Sequence, residues 1–200
     1  LNSGRLDLGT SNIIYVDNCK LGTTRDAGLV QFQTGLTNPS ITMRGQNGTS
    51  AVTSIIVGEN SAGGTGVGTS QLNLSAGSVD IIATTMTLSR GGSGSTTTAG
   101  PGVNGAFSMG EGTLTLTNLW MSRNEGGGLN GALSGNSNTS SFTQFDGSVN
   151  VNTITLGQTT ATGTVLPVFN AQYTMNGGTL NAGSIRVGTG VFATTSVRRI

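Results

Sequence analysis

Histidine is absent from this 200-residue chain. That excludes Ser-His-Asp and Cys-His catalytic relays and any metal site built on imidazole. Cysteine is present once, as Cys19, so no intrachain disulfide can form and no zinc or iron–sulfur cluster can be held by thiolates. Cys19 reads as a small buried hydrophobe, with a reactive or intermolecular thiol as the alternative. Charged residues make up 8% of the chain, Lys20 is its one lysine, and the formal net charge is +1. A chain with so weak a field is not built for nucleic acid or for an anionic membrane surface. No apolar run approaches the roughly 20 residues of a membrane-spanning helix. Lysine and glutamate are scarce while glycine reaches 34 residues, and Ser, Thr and Asn fill much of the remainder. These are poor helix formers, which points away from a helical protein.

What is present is a repeat. Hydrophobic residues still account for 34% of the chain. They alternate with polar ones in short runs such as 112–116 and 147–151, which argues for strands over disorder. Four stretches, 72–81, 107–116, 142–151 and 173–182, align on Gly77, Gly112, Gly147 and Gly178, at separations of 35, 35 and 31 residues. Two looser copies surround Gly4 and Gly35, with a 42-residue interval around Pro39. Each window reads as three short strands, with glycine at a corner of positive φ. Gly/Ser/Thr/Asn-rich loops are expected at 90–106, 123–141 and 157–170.

Stacking the windows puts like on like. Leu72, Phe107, Phe142 and Tyr173 form one expected column, Val79, Leu114, Val149 and Leu180 a second, and Ile81, Leu116, Val151 and Ala182 a third. The pairs Met86/Leu88, Leu119/Met121, Ile154/Leu156 and Ile185/Val187 follow, while Asp80, Thr115, Asn150 and Asn181 face outward. The expected fold is all-β: a right-handed parallel β-helix, or β-solenoid, of about six coils in one domain over 1–200. Coils ~4.8 Å apart give an axis of ~30 Å. A sandwich or jelly roll of antiparallel hairpins is the competing architecture.

Two segments carry a family likeness: 8–22, Leu8-Gly-Thr-Ser-Asn-Ile-Ile-Tyr-Val-Asp-Asn-Cys-Lys-Leu-Gly22, and 177–188, Gly177-Gly-Thr-Leu-Asn-Ala-Gly-Ser-Ile-Arg-Val-Gly188. They resemble the repeats of large bacterial autotransporter-like surface proteins and of related proteins with a C-terminal sorting tail. The resemblance implies a secreted β-solenoid passenger at the cell surface or in extracellular matrix. It carries no catalytic residue and no cofactor. The chain starts at Leu1 without a signal peptide, so it is expected to be a processed protein or an ordered part of a longer chain or polymer.

Candidate chemistry is sparse. Glu111 and Asp146 each precede a corner glycine and are expected to be neighbours, either as turn residues in solvent or as an acidic pair of the glycosidase kind. The calcium-binding Gly-Gly-x-Gly-x-Asp repeat is absent, and the Gly-rich loop at 63–69 lacks the Gly-Lys-Ser/Thr of a phosphate loop. Trp120 is expected to point outward in a column with Thr87, Thr155 and Arg186. There it packs beneath the 123–141 loop or a neighbouring subunit, or stacks on a sugar. Arg186 is the other interface candidate. Glycosylation sequons stand at Asn47, Asn73 and Asn138, of which Asn138 is expected in a loop.

Three functions compete on this reading. The first is an extracellular structural fibre or surface-layer element, in which uncapped solenoid ends associate head to tail. The second is an adhesin or glycan-binding module that uses projecting loops. The third, a polysaccharide-cleaving β-helix, is disfavoured by the shortage of clustered acids. Self-association and glycans are the expected partners, without nucleic acid.

Overall fold

A computed structural model describes residues 4–23, 27–60, 68–91, 103–124, 137–159 and 168–190. Every pairing among the described strands is parallel, and together they form one sheet that winds on itself as a β-solenoid. The antiparallel sandwich is thereby set aside. The N-terminal part consists of short strands: β1 (Gly4–Leu8), β2 (Ser11–Tyr15), β3 (Asn18–Leu21), β4 (Gly28–Phe32), β5 (Ser40–Arg44) and β6 (Val52–Asn60). Four fuller windows stack upon them, formed by β7 (Thr69–Gly91), by β8 (Asn104–Asn124), by β9 (Ser137–Gln144) with β10 (Ser148–Thr159), and by β11 (Val168–Met175) with β12 (Thr179–Gly190).

The three short strands expected per window are fused in β7 and β8, and the later pair of strands is fused in β10 and β12. The reason is geometric. Ladder hydrogen bonds in a solenoid run from coil to coil along the stack, so a corner can turn the chain without breaking them. Strands also reach into the expected loops: residues 90–91, 104–106, 123–124, 137–141, 158–159 and 168–170 all pair. Apart from Val103 and Gly157, the remainder of those three loops lies outside the described residues.

The aromatic column forms as expected. Leu72 pairs with Phe107, Phe107 with Phe142, and Phe142 with Tyr173. Ring centroids lie 4.8 Å apart for Phe107–Phe142 and 4.5 Å for Phe142–Tyr173, the latter nearly parallel at 8°. One coil spacing and one ring-stacking distance coincide, which is why aromatics tolerate direct superposition here. The four pairs ending at Ile185/Val187 also superpose as expected.

The two columns after the first corner are corrected by two residues. Ile81, not Val79, lies against Leu114, Val149 and Leu180, and Ala83, not Ile81, lies against Leu116, Val151 and Ala182. Outward, Thr115, Asn150 and Asn181 continue from Ile82, and Asp80 pairs with Thr113. The cause is an irregularity between Leu74 and Ser78, where the register against β8 shifts. Two extra residues keep the inside/outside alternation intact, so the hydrophobic pattern gives no sign of the slip.

Gly77 accordingly does not share the corner of Gly112, Gly147 and Gly178, whose φ values are +94°, +76° and +79°. It is small for another reason: a Cβ there would stand 2.1 Å from the Pro39 carbonyl oxygen. That oxygen accepts the Ser78 N–H at 2.8 Å, so the chains must approach closely. The core is otherwise mainly aliphatic, and Gln144 enters it as a paired polar side chain. Gln144, fully buried, donates through Nε2 to the carbonyls of Gly147 and Thr179, both at 3.1 Å, and accepts the Tyr173 hydroxyl at 2.8 Å. Burial pushes the Tyr173 phenol well above its ordinary pKa.

Candidate functional site

Any face that could engage a partner must be sought on the outer surface or at the two ends. The flank that carries Trp120 holds most of the buried charge. Trp120 pairs with Thr87 and Thr155, and Thr155 with Arg186, as the repeat predicts. Trp120 is half-buried, and the Arg123 guanidinium lies over its ring at 3.4 Å from the centroid. One ring face is therefore occupied by a cation of the same coil. Arg186 is exposed on the outermost strand β12 and is separated from Trp120 by Thr155, so the two expected interface residues do not meet.

Sequence reasoning missed the charged ladder beside Trp120. Glu59, Arg90 and Arg123 follow one another in register. The Glu59 side chain is 7% exposed and bridges Lys20 Nζ at 3.0 Å and Arg90 at 3.1 Å. Two arginines in successive coils would repel one another; the Glu59 carboxylate and the Trp120 π-face offset that repulsion. Glu59 and Arg90 are 31 residues apart in the chain, and only the coil register brings them together.

The sequons separate clearly. Asn47 is exposed on a turn, with Oδ1 accepting from the Thr49 and Ser50 amides at 2.9 and 2.7 Å. Asn73 is partly buried, and its Oδ1 accepts from the hydroxyls of Ser75 at 2.7 Å and Ser108 at 2.8 Å. Asn138 was expected in a loop; instead it lies in β9, 5% exposed, accepting the Val103 amide at 3.2 Å. Glu111 and Asp146 precede the stacked glycines Gly112 and Gly147 and are exposed, and Asp146 Oδ1 accepts the Gly147 amide at 2.7 Å. Among the described residues, no three His, Cys, Asp or Glu side chains gather as metal ligands. Nor is any helix there long and apolar enough to cross a membrane.

A shallow groove of about 250 Å³ opens on the outer face of the aromatic side. Ala106, Ser108, Ser141 and Thr143 line it together with Gln71, Asn73 and Phe145. Phe145 is 49% exposed at the following corner. Neutral hydroxyls and amides beside an exposed ring suit an uncharged polyhydroxylated ligand.

The ends differ from the middle. At the C-terminal end Ile185 is 57% exposed and Val187 55%, although their column mates Leu119 and Met121 are fully buried. Met175, on the same inward-facing side of its strand as Tyr173, is also exposed. At the N-terminal end Leu6 is exposed and Ile14, Val16 and Cys19 are partly buried against the core, while Leu8 and Leu21 are buried. Burial pushes the Cys19 thiol pKa up. Among the described strands, β1, β2 and β3 pair only with β4, β5 and β6, and β11 and β12 pair only with β9 and β10. Each outermost strand thus presents one free ladder edge to the described structure.

Comparison of the chain with protein-family models, curated proteins and solved structures finds no match. The autotransporter likeness therefore stands on segments 8–22 and 177–188 alone, and the geometry has to carry the functional reading.

Proposed function

We propose that this chain is a non-catalytic, extracellular structural element: a right-handed stack of six coils that extends end to end into a fibre or surface-layer strand. The observation that supports this most directly is the exposure of Ile185 and Val187 in columns that are fully buried two coils earlier. Apolar side chains beside a free ladder edge are the features that make one solenoid coil receive the next. A head-to-tail contact does not close, so repetition gives a filament. The localisation rests on the Gly/Ser/Thr/Asn-rich composition and on the family likeness.

Electron microscopy of the wild-type protein and of Val187→Asp tests the reading. The wild type is expected to form fibres. Val187→Asp places a carboxylate in the contact and should raise the protein concentration needed for assembly by about 100-fold, equivalent to about 3 kcal/mol. The monomer should keep its stability, because Val187 is 55% exposed there. Fibres that form equally well from both proteins would overturn the proposal.

A second reading, a surface module that binds neutral glycans, is supported by the groove beside Phe145. Phe145→Ala should weaken retention on an immobilised neutral polysaccharide by about tenfold, the loss of one stacking contact, and leave assembly unchanged. Equal retention of both proteins sinks this reading.

A further inference from the structure

Building on the end-to-end reading above, we infer that the partner surface is a second copy in one register, with Ile185 of one copy set against Cys19 of the next; Val187 then follows over Leu21, whose side chain the first coil already buries. The columns themselves specify this. Cys19 pairs with Ile55, Ile55 with Met86, Met86 with Leu119, Leu119 with Ile154, and Ile154 with Ile185. One line of inward positions therefore starts at Cys19 and ends at Ile185. A parallel line runs from Leu21 through Val57, Leu88, Met121 and Leu156 to Val187. On the aromatic side, a third runs from Leu6 through Val30, Leu72, Phe107 and Phe142 to Tyr173.

The corners agree at the two ends as well. Gly22, just after Leu21, has φ +65°, and Gly188, just after Val187, has φ +66°. First and last coils therefore turn the chain in the same way at the same place, so the backbone of a following copy can continue the ladder without adjustment. Charged residues do not obstruct the contact. Arg5, Asp7, Lys20 and Arg186 occupy positions that alternate with the inward ones, so they lie on the outer faces of their strands. A slip by one residue would turn every apolar position outward, and a slip by two would bring the Gly188 corner against a straight segment. The contact is thus the solenoid's own coil-to-coil interface, repeated between molecules.

The register can be read with the one native cysteine. In-register partners on adjacent parallel strands lie ~4.8 Å apart, within the Cα separation that a disulfide spans. The full chain carrying Ile185→Cys is assembled, oxidised with copper–phenanthroline and run on a non-reducing gel. The expected result is a ladder of covalent multimers beyond the dimer, because each molecule then carries one thiol at each end. Val187→Cys, displaced by two residues or about 6.6 Å, should give less than about one-tenth as much ladder. Adding Cys19→Ser to Ile185→Cys should abolish everything beyond dimers. A ladder stronger from Val187→Cys, or products that stop at dimers, overturns the register. Micrographs of the same samples separate the two levels of the argument. Fibres without the ladder refute this register while leaving end-to-end assembly standing, and the absence of both fibres and ladder refutes assembly and register together.

Discussion

Phe142→Ala will destabilise the protein by about 3–5 kcal/mol, the range for removing a large buried aromatic side chain. Phe142 is fully buried and holds a ring on each side, Phe107 at 4.8 Å and Tyr173 at 4.5 Å. Its removal opens a cavity between two coils whose backbones are tied by ladder bonds and cannot collapse into the gap. It also removes two ring contacts, each worth about 0.5–1.5 kcal/mol beyond area burial. Denaturant unfolding followed by circular dichroism would show the shift in midpoint. Phe145→Ala is the internal comparison. Phe145 is three residues away but 49% exposed, so its loss should cost about 1 kcal/mol or less. Equal destabilisation by the two substitutions would mean that the aromatic column is not what joins these coils. Repeat proteins can unfold from their ends, so the midpoint of the whole transition is the safer measure than an extrapolated free energy.

Gly112→Val will be more severe, with most of the protein failing to reach the folded state. Gly112 has φ +94°, a conformation that a β-branched residue resists at a cost of about 1–3 kcal/mol. A Cβ at this position would also stand 2.0 Å from the Val79 carbonyl oxygen and 2.6 Å from its nitrogen. Both are backbone atoms of the neighbouring coil, so relief requires the ladder itself to move. Gly9→Val is the control: a Cβ at Gly9 meets nothing within 4 Å, and the variant should express and unfold like the wild type. Soluble yield and circular dichroism of the two variants decide the matter. A folded Gly112→Val protein with wild-type stability would show that the close approach of these coils is not required.

The two glycine classes show where sequence reading stopped. Gly112, Gly147 and Gly178 were legible as corners because the apolar pattern restarts after each of them. Gly77 fits the same alignment, yet its role is to let Pro39 approach from the neighbouring window. The two residues inserted near it preserve the alternation, and an even slip is invisible to a period-2 pattern. Loop boundaries were misplaced for a related reason. Residues such as Asn138, Thr139 and Ser140 read as loop by composition, but Asn138 and Ser140 are buried and all three pair in β9. A stacked coil can bury small polar side chains because their partners, such as the Val103 amide for Asn138, lie in the adjacent coil.

The candidate surfaces divide in the same way. Trp120 and its column mates followed from the repeat. Glu59, with Lys20 on one side and Arg90 on the other, did not, because neither pairing is local in the chain. The groove beside Phe145 likewise depends on the outward faces of β7, β8 and β9 lying side by side.

By itself the sequence determined the class of fold: alternating short apolar runs, punctuated by glycine at near-constant spacing, bury a continuous core only when windows stack. It also determined the aromatic column and the inward line that reaches Ile185 and Val187. Only the tertiary structure decided the register after Leu74, the burial of Asn138 and the Glu59 ladder. Those depend on which residue of the next coil lies opposite, and that distance is measured through space along the stack, where a two-residue slip moves a contact by about 6.6 Å while leaving the hydrophobic pattern unchanged.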